Sequence, residues 1–139
     1  GERLVAALGG TAGAQLCWDE TVKYTSERQA FGRPVAKFQT TRHLLADLLT
    51  QIEAGRRLAY HAADLYNRRL ECTKEVSMAK LFCGEMAIHV VDRCLQLHGG
   101  YGYIEEYHIC RAYRDMRLLT IGGGTSEIMK EIISKLSGL

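Results

Sequence analysis

Apolar positions recur at helical spacing along almost the whole chain, and no segment alternates convincingly with the period of a strand. The pattern predicts five helices. The first runs from about Glu2 to Gln29, with Leu4, Val5, Leu8, Ala12 and Leu16 as its stripe. Gly9, Gly10 and Gly13 weaken its local propensity, a pattern that suits close packing against another helix. Gly32, Arg33 and Pro34 stop it. The second, from about Phe38 to Arg69, carries Leu45, Leu48, Ile52, Ala59, Ala62 and Tyr66 on one face. The third has Thr73 as N-cap and ends near His98, before Gly99 and Gly100, with Ala79, Phe82, Cys83, Met86, Val90, Cys94 and Leu97 as its stripe. A shorter helix covers about Glu106 to Leu118, with Ile109, Ala112, Tyr113 and Met116 inward. The last runs from Ser126 to Leu136, capped by Thr125, with Ile128, Met129, Ile132, Ile133 and Leu136 buried.

Long helices with short connections pack as an up-down bundle, so the expected fold is all-α: three long helices completed by two shorter C-terminal ones. One domain over residues 1–139 suits the length. The chain begins inside a helical pattern without an initiator Met, which reads as a domain of a longer protein. An apolar fraction of 47% with a single Pro argues against disorder. A net charge of +2, without a basic run, argues against nucleic-acid binding. No apolar stretch reaches the length of a membrane span, and no signal peptide is visible. The five Cys form no CxxC pair and are odd in number, which suits reduced thiols in a cytosol-like compartment rather than a metal site. On helical faces they read as core fillers. His43, His61, His89 and His108 show no ligand spacing and read as surface or packing residues.

The chemistry gathers where helices begin and end. Gly122-Gly123-Gly124-Thr125 puts bare backbone N–H groups at a positive helix end, where a flat ring or a phosphate can approach. The same residues also make a flexible turn before a capped helix. Glu2 sits in a first helical turn, where the dipole alone favours a carboxylate. Arg28 ends a helix; its planar fork suits a diphosphate, and its charge suits a helix C-terminus. The residues by themselves leave these alternatives open.

Four segments in order decide between them: Gly1-Glu2-Arg3-Leu4-Val5, Arg28-Gln29-Ala30-Phe31-Gly32, Gln96-Leu97-His98-Gly99-Gly100-Tyr101-Gly102 and Ile121-Gly122-Gly123-Gly124-Thr125-Ser126-Glu127-Ile128. With helical sequence between them, they resemble the C-terminal helical domain of the acyl-CoA dehydrogenases over nearly the whole chain. The resemblance implies FAD-dependent α,β-dehydrogenation of an acyl-CoA thioester. Many members of that family carry a catalytic Glu just before the last Gly of the glycine turn, a position that is Gly123 here. The other arrangement in the family, in isovaleryl-type and long-chain-type members, places the base at the start of this domain's first helix, which makes Glu2 the catalytic candidate. Arg3 and Gly124 would then touch substrate. Arg28, Gln29, Ala30, Phe38, Gln39, Gln96, Leu97, His98, Gly99, Gly100, Thr125, Ser126 and Glu127 would touch FAD, several of them on a neighbouring subunit's flavin. The resemblance further implies a homo-oligomer, dimer or tetramer, and an electron-transfer flavoprotein as partner. It implies the bacterial cytoplasm or the mitochondrial matrix as location. Oxidase or monooxygenase chemistry on the same fold, or a non-catalytic helical assembly domain, are the alternatives. The assembly reading has no need of the Gln96–Gly100 and Gly122–Thr125 segments together.

Overall fold

The computed structural model describes residues 1–139 and arranges them in five α-helices: α1 Glu2–Glu27, α2 Gln39–Asn67, α3 Thr73–His98, α4 His108–Met116 and α5 Ser126–Leu136. The three long helices pack on one another, with α1 against α3 as the most extensive contact, and α4 and α5 cover α3. The all-α bundle expected from the periodicity is the fold observed.

The buried face of α1 differs from the expected stripe. Leu4 is buried and Leu8 half-buried, but Val5, Ala12 and Leu16 face outward. The inward positions are small: Ala7, Gly10, Thr11, Ala14, Cys17, Thr21 and Thr25. Close approach to α3, not side-chain size, selects this face. A Cβ on Gly10 would lie 3.0 Å from Leu119 Cδ1 and 3.3 Å from the Cys83 carbonyl oxygen. Gly13 lies under Met116 in the same way, whereas Gly9 faces open space and carries no packing role. The buried Thr11, Thr21 and Thr25 hydroxyls donate to the carbonyls four residues back, at 2.9, 2.6 and 2.8 Å, so the small face holds no orphaned donor.

The main core joins Leu48 and Ile52 of α2 to Met86, Val90, Val91 and Cys94 of α3, with Ile109 and Ala112 of α4. A second cluster at the other end joins Leu4 and Ala7 to Ala59, Ala62, Ala79 and Cys83. Each fully buried Leu or Ile contributes about 1.5–3 kcal/mol. Tyr66, Phe82, Tyr113, Ile128 and Leu136, expected inward, are exposed. They stand at the edges of apolar faces wider than the contact each neighbouring helix makes. Leu97, Met116, Ile132 and Ile133 are half-buried for the same reason.

The helix ends also correct the sequence pattern. α1 stops at Glu27 because Arg28 is extended, and Gln29–Ala30 (β1) pairs antiparallel with Arg33–Pro34 (β2). Phe31 and Gly32, with φ of 51° and 80°, make the tight turn between them. Thr73 is the first residue of α3 rather than its cap: Cys72 holds the cap position without a side-chain bond, and Glu71 accepts the Thr73 N–H at 2.9 Å. α4 is shorter than expected because Arg117–Thr120 tightens into a 3₁₀ turn. Thr125 caps α5 as expected, accepting the Ile128 N–H at 3.3 Å.

Candidate functional site

α1 and α3 run parallel, start beside start and end beside end, so the sequence-derived site residues fall at two ends of the bundle. Glu2 and Arg3 share one end with the start of α3. Arg28 shares the other with His98. The 26 residues of α1 separate the ends by roughly 39 Å.

At the first end the chain brings together residues about 120 positions apart in sequence. Gly122, Gly123 and Gly124 follow a 3₁₀ turn and precede α5. Gly123 and Gly124 have φ of 67° and 109°, a left-handed stretch that a side chain would strain. Arg3 Nε donates to the Gly123 carbonyl at 3.0 Å. The position a Cβ would take on Gly123 lies 3.5 Å from Glu2 Oε1. The Glu2 carboxylate therefore occupies the space into which a side chain at position 123 would project. A Cβ on Gly124 would meet Met129 Cε at 2.8 Å and Arg3 at 3.7 Å.

The backbone N–H groups of Gly123, Gly124, Thr125 and Ser126 find no backbone acceptor within the chain. They line a short helix entrance with its positive end toward Glu2's turn. The Glu127 carboxyl lies below its ordinary range because its own backbone N–H and the Thr125 hydroxyl bond to it. Lys80, which the sequence pattern passed over, is buried here and donates through Nζ to the Gly124 carbonyl. Its signal was present: a lysine inside the inward face of α3, three residues after buried Ser77.

At the second end a groove of about 500 Å³ is lined by Tyr24, Arg28, Val35, Gln96, Leu97, His98, Gly99, Gly100, Tyr101 and Ile104. Arg28 is exposed and joins no ion pair, and Gln96 is exposed. Gly99 and Gly100 would carry side chains into open space. The His98 ring is buried instead, stacked on Tyr24 at 4.4 Å between centroids, and its Nδ1 pairs with the Cys94 carbonyl at 2.9 Å. Tyr24 Oη donates to the His98 carbonyl at 3.2 Å, so Tyr24 and His98 brace the glycine turn from beneath. Phe38 lies beside this end with Arg33 4.1 Å over its ring and Phe31 edge-on at 6.2 Å. Gln29 and Ala30 form β1, and Gln39 opens α2.

Residues 1–137 match the family model described as the acyl-CoA dehydrogenase, C-terminal domain. The chain is 42% identical over 132 residues to a caffeyl-CoA reductase-Etf complex subunit of Acetobacterium woodii, covering 95% of this chain and 35% of that protein. It is 43% identical over 135 residues to the mitochondrial long-chain specific acyl-CoA dehydrogenase of Sus scrofa, covering 96% of this chain and 31% of that one. Its fold superposes on a crystal structure of an acyl-CoA dehydrogenase from Geobacillus kaustophilus with a TM-score of 0.97 and 41% identity, covering 99% of this chain and 36% of that one. The chain thus spans about a third of the length of the curated relatives it matches.

Proposed function

Since the chain belongs to the acyl-CoA dehydrogenase family, as its C-terminal domain, we propose that it serves a longer flavoprotein that dehydrogenates acyl-CoA thioesters, with Glu2 as the base. The carrying observation is the 3.5 Å between Glu2 Oε1 and the side-chain position of Gly123. The two places at which the resemblance puts a base are one place in space. A carboxylate entering from α1 replaces one that would otherwise enter from the glycine turn.

The arrangement can do the chemistry required. The α-proton of a thioester is weakly acidic, and a carboxylate removes it only when geometry is fixed and charge on the thioester oxygen is stabilised. Glu2 accepts the proton and becomes neutral. The free N–H groups from Gly123 to Ser126 are donors for the oxygen that gains charge. Arg3, reaching across from the first turn of α1, and Gly124 of the glycine turn complete the substrate side.

FAD, when bound, supplies the acceptor for the hydride from the β-carbon. The donor set fits it: the unpaired Arg28 guanidinium suits a diphosphate, the Gln96 amide is exposed, and Gly99 and Gly100 offer backbone without side chains. Thr125, Ser126 and Glu127 stand at the other end, and a separation of roughly 39 Å means that one chain's two ends serve different flavins. A second copy therefore contributes its Arg28 end, with Gln29, Ala30, Phe38 and Gln39, and the working form is a homo-oligomer. An electron-transfer flavoprotein as partner is supported by the Acetobacterium relative, named as a subunit of an Etf complex. No helix is long and apolar enough to cross a membrane, and the proposed location is the bacterial cytoplasm or the mitochondrial matrix.

The names of two relatives favour a second direction. One is a caffeyl-CoA reductase complex subunit, and another, 46% identical over 121 residues, is a 3-(aryl)acrylate reductase of Clostridium sporogenes. By microscopic reversibility the same Glu2 would protonate the α-carbon of an unsaturated thioester. Anaerobic titration of the full-length protein with a panel of saturated acyl-CoA thioesters tests the reading, and the dithionite-reduced protein with unsaturated ones tests the reverse direction. Bleaching of a yellow protein by a saturated thioester supports dehydrogenation, and re-oxidation by an unsaturated one supports reduction. A colourless protein, or a flavin indifferent to both, overturns the proposal.

A further inference from the structure

Lys80 is the only Lys, Arg, Asp or Glu among the buried side chains, 2% exposed on the inner face of α3. None of the six ion pairs includes it, and none includes Arg3. Burial without a carboxylate is unfavourable for an ammonium. Desolvation, and then repulsion from Arg3, hold the Lys80 pKa below its ordinary value. An apolar side chain of similar volume would fill the same space without that penalty. What stands against that cost is the hydrogen bond the ammonium makes.

The ammonium makes a single hydrogen bond. Lys80 Nζ donates to the Gly124 carbonyl, while Arg3 Nε donates to the Gly123 carbonyl next to it at 3.0 Å. In a trans peptide the N–H points opposite its C=O. Holding the Gly123 carbonyl therefore aims the Gly124 N–H, and holding the Gly124 carbonyl aims the Thr125 N–H. Neither N–H has a backbone acceptor in the chain. Two successive glycines would otherwise sample many orientations.

We infer that Lys80 is a positioning residue: with Arg3 it holds the Gly123 and Gly124 carbonyls so that the free N–H groups of Gly124 and Thr125 keep one direction beside Glu2. The catalytic consequence rests on the proposed role of Glu2, whereas the structural one does not. Two measurements on the full-length protein test it, and one needs no substrate. In crystals of Lys80→Met, which keeps the apolar stem, the Gly123–Thr125 backbone should leave its present path, and in Lys80→Arg it should keep it. In anaerobic stopped flow, Lys80→Met should slow reduction of its bound flavin about 10- to 100-fold, the size of one lost hydrogen bond to a charged group, with Lys80→Arg recovering most of the rate. A Lys80→Met turn that superposes on the parent turn, or a variant that reduces its flavin at the parent rate, overturns the assignment. If no acyl-CoA bleaches the parent flavin, the proposed function falls, and the crystal comparison alone decides the role of Lys80. Should Lys80→Met fail to fold, Lys80→Gln, with a neutral donor of shorter reach, takes its place in both measurements.

Discussion

Moving the carboxylate from position 2 to position 123 tests the geometry directly. Glu2→Gln keeps shape and removes the proton acceptor, so flavin reduction by acyl-CoA should fall by about 10²–10⁴-fold while FAD stays bound. Gly123→Glu alone meets two opposing effects. The new Cβ lies in ordinary contact with Glu2, 3.5 Å from Oε1, so space is not the obstacle. The φ of 67° is, and a non-glycine residue there costs about 1–2 kcal/mol. Two carboxylates in one site add about 1–4 kcal/mol of repulsion at 4 Å, across the range from water to a protein surface. The single Gly123→Glu variant should therefore lose about 2–6 kcal/mol, and the same change made on top of Glu2→Gln only the strain of about 1–2 kcal/mol. The double variant should also regain at least about tenfold in flavin reduction over Glu2→Gln, because a carboxylate again fills the site. Calorimetric Tm values of the four full-length proteins order the stabilities, and anaerobic stopped flow orders the rates. If Gly123→Glu lowers Tm equally in both backgrounds, the two positions do not share a site. If Glu2→Gln reduces its flavin at the parent rate, Glu2 is a first-turn helix residue and nothing more.

Arg28→Ala should weaken FAD retention about tenfold or more, the worth of a hydrogen bond to a charged group, and leave apoprotein Tm unchanged; equilibrium dialysis with calorimetry checks both. Thr125→Ala removes the α5 cap and should lower stability by about 0.5–2 kcal/mol. It also removes a bond that holds the Glu127 carboxyl below its ordinary value, so the stability that is present above the ordinary carboxyl range and lost as pH falls through the folded value should shrink, flattening the acid limb of Tm against pH. Burial pushes the Cys17 thiol up to about 12 and the Cys94 thiol up to about 11, from 9.0. The folded chain then keeps protons that the unfolded chain releases, so stability is complete below pH 9 and should fall as pH rises toward 11, read as a falling Tm. Alkylation at neutral pH should reach half-buried Cys110 well before Cys17 or Cys94, as peptide mass spectrometry would report.

Local information was enough for the helices and for most of their ends. Apolar spacing in α2, from Leu45 through Ala62, marks the face that is buried, because a helix with one apolar stripe can hide it in only one direction. The Gly99 and Thr125 boundaries were legible for a similar reason: a positive φ and a capping hydroxyl are properties of single residues. The α1 face was not legible by size, since Gly10, Thr11 and Ala14 are buried only because α3 comes close enough to need small neighbours.

The candidate site divides along the same line. The identities of Glu2, Arg28 and the glycine segments stand in the sequence, and with them the family. That Glu2 and Gly123 share one space, that Lys80 reaches the Gly124 carbonyl, and that Arg28 lies at the far end from both are tertiary facts. They depend on how α1, α3 and the glycine turn are brought together, and a chain read residue by residue contains no distance between positions 2, 80 and 123. Only the packing of the bundle supplies those distances, because the contacts that set them are made by other residues.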